Sequence, residues 1–219
     1  GCTGPLFFAW CIGLATVTSR WWSARTKTPL SSNSPSENVR DSFKRLATAT
    51  FLIAYVQLVL GAQLRHAQVM LEPGAFRVLV FAHLAGAAAL LAHVAFLACR
   101  TLRVWRNEPR ITRPAAGLAM LVVMQIALGA GAWVVNYGWP GWSRLGGVGV
   151  GYTIQAESWM QANVVTAHVA VGSLILGVAG MLSLRSWRLS SMPLASAGGA
   201  FFAGEAIALA SGASRGVTA

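Results

Sequence analysis

Two of the four histidines occupy matching places in the chain. His83 lies in Ala82-His83-Leu84-Ala85-Gly86, and His168 in Ala167-His168-Val169-Ala170-Val171-Gly172. Each sits about two turns inside a long apolar run. Each of those runs follows another that carries a glutamine and a Leu-Gly-Ala or related triplet. A neutral imidazole in lipid is costly unless it has a partner. Two imidazoles at one depth on neighbouring helices can share a single partner, and a heme iron held between two axial histidines meets that description. His83 and His168 are therefore expected to ligate a b-type heme.

The remaining polar residues have weaker claims. His93 is ten residues further along the same run as His83, a rotation of about 1000° that points it roughly 80° away. It is expected to pack or to be a lipid-side oddity. His66 follows Arg65 at the end of an apolar run and reads as an interfacial residue or as one at a cofactor edge. Arg65, Arg77 and Arg144 are the few basic groups on their side of the spans. Heme propionates are anionic and pair readily with arginine, so Arg65 and Arg77 are candidates to meet them; plain interfacial anchoring is the alternative. Gln57 and Gln125 are expected to act as polar glue between helices; direct contact with the cofactor is the alternative. Cys2, Cys11 and Cys99 form no CxxC or CxxCH pattern, which leaves no indication of a zinc site or covalent c-type heme. They are expected to be buried small residues. The Gly-rich stretch 138–151, with Trp139 and Trp142, could cap a cofactor or be a surface loop.

The elements that must position these residues are membrane helices. Apolar residues make up 55% of the chain and charged residues 11%, less than half the charge of an ordinary soluble domain. Five apolar runs alternate with short basic loops, at about 5–17, 46–64, 76–99, 114–135 and 161–184. The net charge of +11 comes from clusters on alternate sides of the spans, a membrane-orienting pattern rather than a nucleic-acid footprint. Arg20, Arg25, Lys27, Arg40, Lys44 and Arg45 share one side with Arg100, Arg103, Arg106, Arg110, Arg113, Arg185 and Arg188. The positive-inside rule makes that side cytoplasmic, in a multi-pass protein of the cell inner (plasma) membrane. Tryptophans mark both boundaries. At 1.5 Å per residue, both histidines lie roughly 10–12 Å below the outer boundary.

The second and fourth runs resemble each other, with Gln57-Leu58-Val59-Leu60-Gly61-Ala62 against Gln125-Ile126-Ala127-Leu128-Gly129-Ala130. The third and fifth share Ala-His-x-Ala. The repeating unit is a helix hairpin used twice. The expected fold is all-α: a four-helix transmembrane bundle built from two repeated hairpins, preceded by one additional membrane helix. Gly61, Ala62, Gly86, Gly129 and Gly172 would let helices approach. The expected divisions are a first helix over 1–22, a cytoplasmic loop over 23–45, the heme-binding bundle over 46–188 and a flexible tail or linker over 189–219. The opening Gly-Cys-Thr-Gly-Pro has no charged leader and reads as the interior of a longer membrane protein.

The set Gln57 to Gly61, Arg65-His66, Ala82-His83, Gln125 to Gly129 and Ala167-His168 resembles the heme A synthase family of cytochrome oxidase assembly proteins, over about three quarters of the chain. That resemblance implies eight membrane helices in two related bundles. The C-terminal bundle holds heme b, and the N-terminal bundle oxidises a methyl group of heme O to a formyl group. It makes residues 46–185 the C-terminal bundle and residues 1–22 the last helix of the other, so the fragment alone is expected to be inactive. It implies heme O synthase or cytochrome oxidase assembly factors as partners, with membrane lipid, and no nucleic acid. The family's catalytic glutamate belongs to the part not present, and no catalytic residue is assigned. Neither Glu72 nor Glu157 is placed at that role. The alternatives from the residues themselves are a b-type membrane cytochrome for electron transfer, a non-enzymatic heme-binding assembly factor and a plain helical membrane protein.

Overall fold

The computed structural model describes residues 2–27, 34–66, 72–137 and 158–193. Every regular element among them is helical: α1 (Thr3–Val17), α2 (Arg20–Lys27), α3 (Glu37–His66), α4 (Pro73–Val104), α5 (Pro109–Tyr137) and α6 (Trp159–Ser190). Helices α3 to α6 are each long and apolar enough to cross a membrane. Helix α1 is apolar but has 15 residues, about 22 Å of helix against a hydrocarbon core of about 30 Å.

The helices outrun the apolar stretches that announce them. The loop expected over 23–45 contains the end of α2 and the first two turns of α3, and α4, α5 and α6 extend beyond their apolar runs at both ends. Helix geometry satisfies the backbone whether or not the side chains are apolar, and long arginine side chains reach water from inside a helix. Local chemistry sets the ends. Pro73 opens α4 with no N–H to waste. The Ser158 hydroxyl caps α6 by accepting from the Gln161 N–H at 3.2 Å. The expected tail beyond residue 193 lies outside the described residues.

Helix α5 carries Pro114 in its second turn. Proline cannot donate to the carbonyl four residues back, here that of Arg110. The Arg185 guanidinium on α6 donates to that carbonyl instead. A backbone group that proline strands thus becomes a tie between two helices.

Packing follows a ring: α3 touches α4 and α6, and α5 touches α4 and α6, while α1 lies along the outside of α6. Among the described residues, no α-carbons of the diagonal pairs α3/α5 and α4/α6 come within 8 Å of each other. The sequence placed the two histidine helices side by side; they stand across the bundle from each other. The short α4–α5 connection forces antiparallel neighbours. On the outer face of α6, Gly177 accepts Ile12 and Phe8 from α1.

One heptad seam runs down each of the four helices. Buried positions step by four and three: Phe43, Ala47, Thr50 and Ala54 on α3; Leu90, Val94, Leu97 and Thr101 on α4. Helix α5 repeats the step with Ile111, Ala115, Leu118 and Val122, and α6 with Ile175, Ala179, Leu182, Ser186 and Leu189. Such spacing keeps one stripe facing the bundle axis. The opposite faces carry large apolar side chains in the open, such as Phe81 at 70% and Met120 at 73% exposure. That is the outside of a protein whose surroundings are lipid.

The basic end is closed further by Trp–Arg and Trp–Lys contacts. Arg185 stands over Trp21, Arg188 over Trp22 and Lys44 over Trp187, at 5.6, 5.4 and 5.0 Å from the ring centroids. These pairings fix α2 against the end of α6. Beside them, Thr48 bonds Ser183 at 3.0 Å and accepts from the Trp187 indole at 3.0 Å.

Candidate functional site

Toward the far end the same seam changes its chemistry. Continued by the same steps, it reads Gln57 and Gly61 on α3, and Ala87 then His83 on α4. On α5 it reads Gln125 and Gly129, and on α6 Gly172 then His168. All eight of these residues are half-buried, whereas the seam positions nearer the basic end named above are buried. Helices that are close-packed near the basic end are thus less tightly closed over these seam positions at the far end.

His83 is ten residues into α4 and His168 nine residues into α6, about 15 and 14 Å from the helix starts. The expected common depth holds, somewhat deeper than the apolar runs suggested because both helices start earlier.

Each imidazole is held by the glutamine of its own hairpin. The Gln57 amide nitrogen lies 3.1 Å from Nδ1 and 3.3 Å from Nε2 of His83, and donates to the His83 carbonyl at 2.8 Å. The Gln125 amide nitrogen lies 3.3 Å from Nε2 of His168. The amide oxygens of both glutamines, and Nδ1 of His168, are buried without a hydrogen-bond partner.

The glycines make room for these side chains rather than for helix backbones. A Cβ on Gly61 would stand 3.2 Å from Cε1 of His83, and one on Gly129 would stand 3.1 Å from Cε1 of His168. A Cβ on Gly86 would run into the Gln57 amide oxygen, and one on Gly172 would stand 3.2 Å from the Gln125 amide nitrogen. The same four-part arrangement of glutamine, glycine, histidine and glycine thus occurs twice.

Other expected residues fall outside this centre. Arg65 and Arg77 are exposed near the far ends of α3 and α4, eight residues beyond Gln57 and six before His83. His66 ends α3. His93, expected to pack or to be a lipid-side oddity, is one position off the seam and half-buried, with its Nδ1 unpartnered. Glu72 precedes α4 and is exposed, without capping it through its side chain. Arg144, Glu157 and the stretch 138–151 lie outside the described residues. The cysteines correct an expectation: Cys11 and Cys99 are exposed and Cys2 is intermediate. A thiol on a lipid-facing helix surface is already in an apolar medium and gains nothing further from burial.

Sequence reasoning passed over one tie at the far rim. The Gln161 side chain donates to the Asn136 amide oxygen at 2.8 Å, and both residues lie one heptad beyond the site on the same seam. The heptad count was the signal that would have found them.

The donor set suits a planar iron macrocycle. Among the described residues no three His, Cys, Asp or Glu side chains cluster as a metal cage. An axial pair needs no such cage, since a porphyrin supplies the four in-plane nitrogens itself. Two imidazoles at one depth on diagonal helices, glycine cradles beside both rings and half-buried seam positions around them are the features that fit it. No family model matches the chain, and no curated protein or solved structure matches it.

Proposed function

We propose that the bundle binds one b-type heme, with His83 and His168 as its axial ligands. The observation that carries this is the change along the seam: closed and apolar near the basic end, half-buried and bearing His, Gln and Gly near the other. When bound, heme supplies a one-electron iron couple. The chain's residues do the rest. His83 and His168 offer neutral ring nitrogens from opposite sides, and Gly61 and Gly129 leave the rings space. Arg65 and Arg77, exposed at the far rim, are the basic groups placed to meet propionates. Held by His83 and His168 together, the group would suit electron transfer rather than oxygen activation.

The wider reading is that this bundle is the heme b half of a heme A synthase, an oxidoreductase that converts heme O to heme A for cytochrome c oxidase assembly. It rests on the motif resemblance. The alternatives are a b-type electron-transfer cytochrome, which would use the same ligands, and a non-enzymatic heme-binding assembly factor. In each case the protein lies in the cell inner membrane with its basic loops in the cytoplasm, as charge placement supports.

The test is a reduced-minus-oxidised spectrum of the purified protein. A b-type alpha band is expected. Its absence, after incubation with hemin as well, overturns the heme reading. Low-spin heme persisting in a His83→Ala, His168→Ala double variant overturns the ligand assignment.

A further inference from the structure

An imidazole that ligates through one nitrogen must carry its proton on the other, and that N–H needs an acceptor. The present pairing is the reverse. Both glutamines turn their amide nitrogen, a donor, toward the ring nitrogens, while both amide oxygens are buried without a hydrogen-bond partner. An amide carries donor and acceptor on one nearly symmetrical group. Turned about its last bond, it presents oxygen where it now presents nitrogen. We infer that Gln57 and Gln125 are positioning residues that turn their amide oxygens to the ring N–H groups of His83 and His168 when those histidines ligate iron, fixing each ring's tautomer and strengthening it as a ligand. This rests on the heme reading above.

The two copies do not turn with equal ease. Gln57 is also tied to the His83 carbonyl at 2.8 Å, and its oxygen lies against Gly86. Turning it breaks a backbone bond and brings two oxygens together. Gln125 has only its 3.3 Å contact with the ring to lose. Gln125 is thus the readier acceptor, and His168 the more firmly oriented ligand. The repeat supplies the same pair of groups twice, and the extra tether makes them unequal.

The experiment titrates hemin into the full chain in detergent and follows the low-spin spectrum, for wild type and for Gln125→Leu, Gln125→Glu, Gln57→Leu and Gln57→Glu. Loss of an orienting partner of a metal-bound histidine weakens binding about 10- to 100-fold. Gln125→Leu is expected in that range, and Gln57→Leu at or below its lower edge. Glutamate, which only accepts when ionised, is expected to restore the affinity lost in Gln125→Leu and to lower the midpoint potential of the bound heme. Equal affinities for wild type and Gln125→Leu overturn the inference. So does a Gln125→Glu variant that binds as weakly as Gln125→Leu with its helical circular dichroism intact. If Gln125→Glu does not fold, Gln125→Met replaces it: this unbranched side chain of similar length keeps the packing, and wild-type affinity in it overturns the acceptor role. No low-spin binding by wild type is a different failure, that of the heme reading itself.

Discussion

The two halves of the bundle use one seam for opposite purposes. Near the basic end its positions are Phe43, Leu97, Leu118, Leu182 and their neighbours, almost fully buried. Near the far end the same stripe carries Gln57, His83, Gln125 and His168, all half-buried. The same heptad steps continue across the change, so the two halves differ in the side chains they carry. The basic half carries mostly Phe, Leu, Ile, Val and Ala at near-complete burial; the far half carries Gln, His and Gly, half-buried. The packed half fixes four helices in register. The other half uses that register to bring two imidazoles to one level.

The widest separation between the halves should appear with their central residues. His168→Ala is expected to abolish low-spin heme in a visible spectrum while the thermal unfolding of the protein without heme stays near wild type. Leu118→Ala is expected to do the reverse, lowering unfolding stability while hemin still gives a b-type band. In water such a truncation costs about 2–5 kcal/mol; in a membrane the lipid removes most of the transfer part, so the lower end is expected. If Leu118→Ala abolished heme binding with the helices intact, the two halves would not be separable.

The cradle glycines sharpen the comparison. Gly129→Ala places a methyl 3.1 Å from the His168 ring. Overpacking of this kind costs about 1–3 kcal/mol, and it should appear as weaker hemin binding with helical circular dichroism unchanged. Gly86→Ala should exceed Gly172→Ala, because the Gln57 oxygen fills the space that the first methyl needs.

Smaller effects belong to the closed end. Arg185→Ala removes the donor to the carbonyl that Pro114 leaves free, at a cost of about 1.5 kcal/mol. In a Pro114→Ala background the backbone N–H can take that carbonyl, so the same substitution should cost measurably less; additivity in a double-mutant cycle of unfolding would argue against the link. Thr48→Val loses its bonds to Ser183 and Trp187. Interhelical bonds in membranes average about 0.6 kcal/mol, so a shift near 1 kcal/mol is the least expected here.

Much of this was legible in the residues. The apolar runs announced the four long helices, because a bilayer demands length and apolarity together. The Gln57 and Gln125 segments, with the two Ala-His patterns, announced the repeat and the common depth of His83 and His168. The helix ends were not legible. Apolarity stops where the lipid does, whereas α3 begins at Glu37 and α6 runs to Ser190 because the helical backbone continues into the basic margin. The cysteines misled because burial was assumed to be the only apolar environment available.

What the sequence determined by itself is therefore the inventory and the level: which helices cross, which polar residues they carry, and how deep these lie. Those follow from period, length and charge, which are properties of each helix taken alone. Tertiary structure decided who faces whom. It set α4 and α6 across the bundle instead of side by side, turned Gln57 and Gln125 onto the imidazoles, and gave Gln57 a backbone tether that Gln125 lacks. Diagonal placement depends on how four seams meet about a common axis, and a hydrogen bond on which rotamer fits between them. Neither is a property of a single helix.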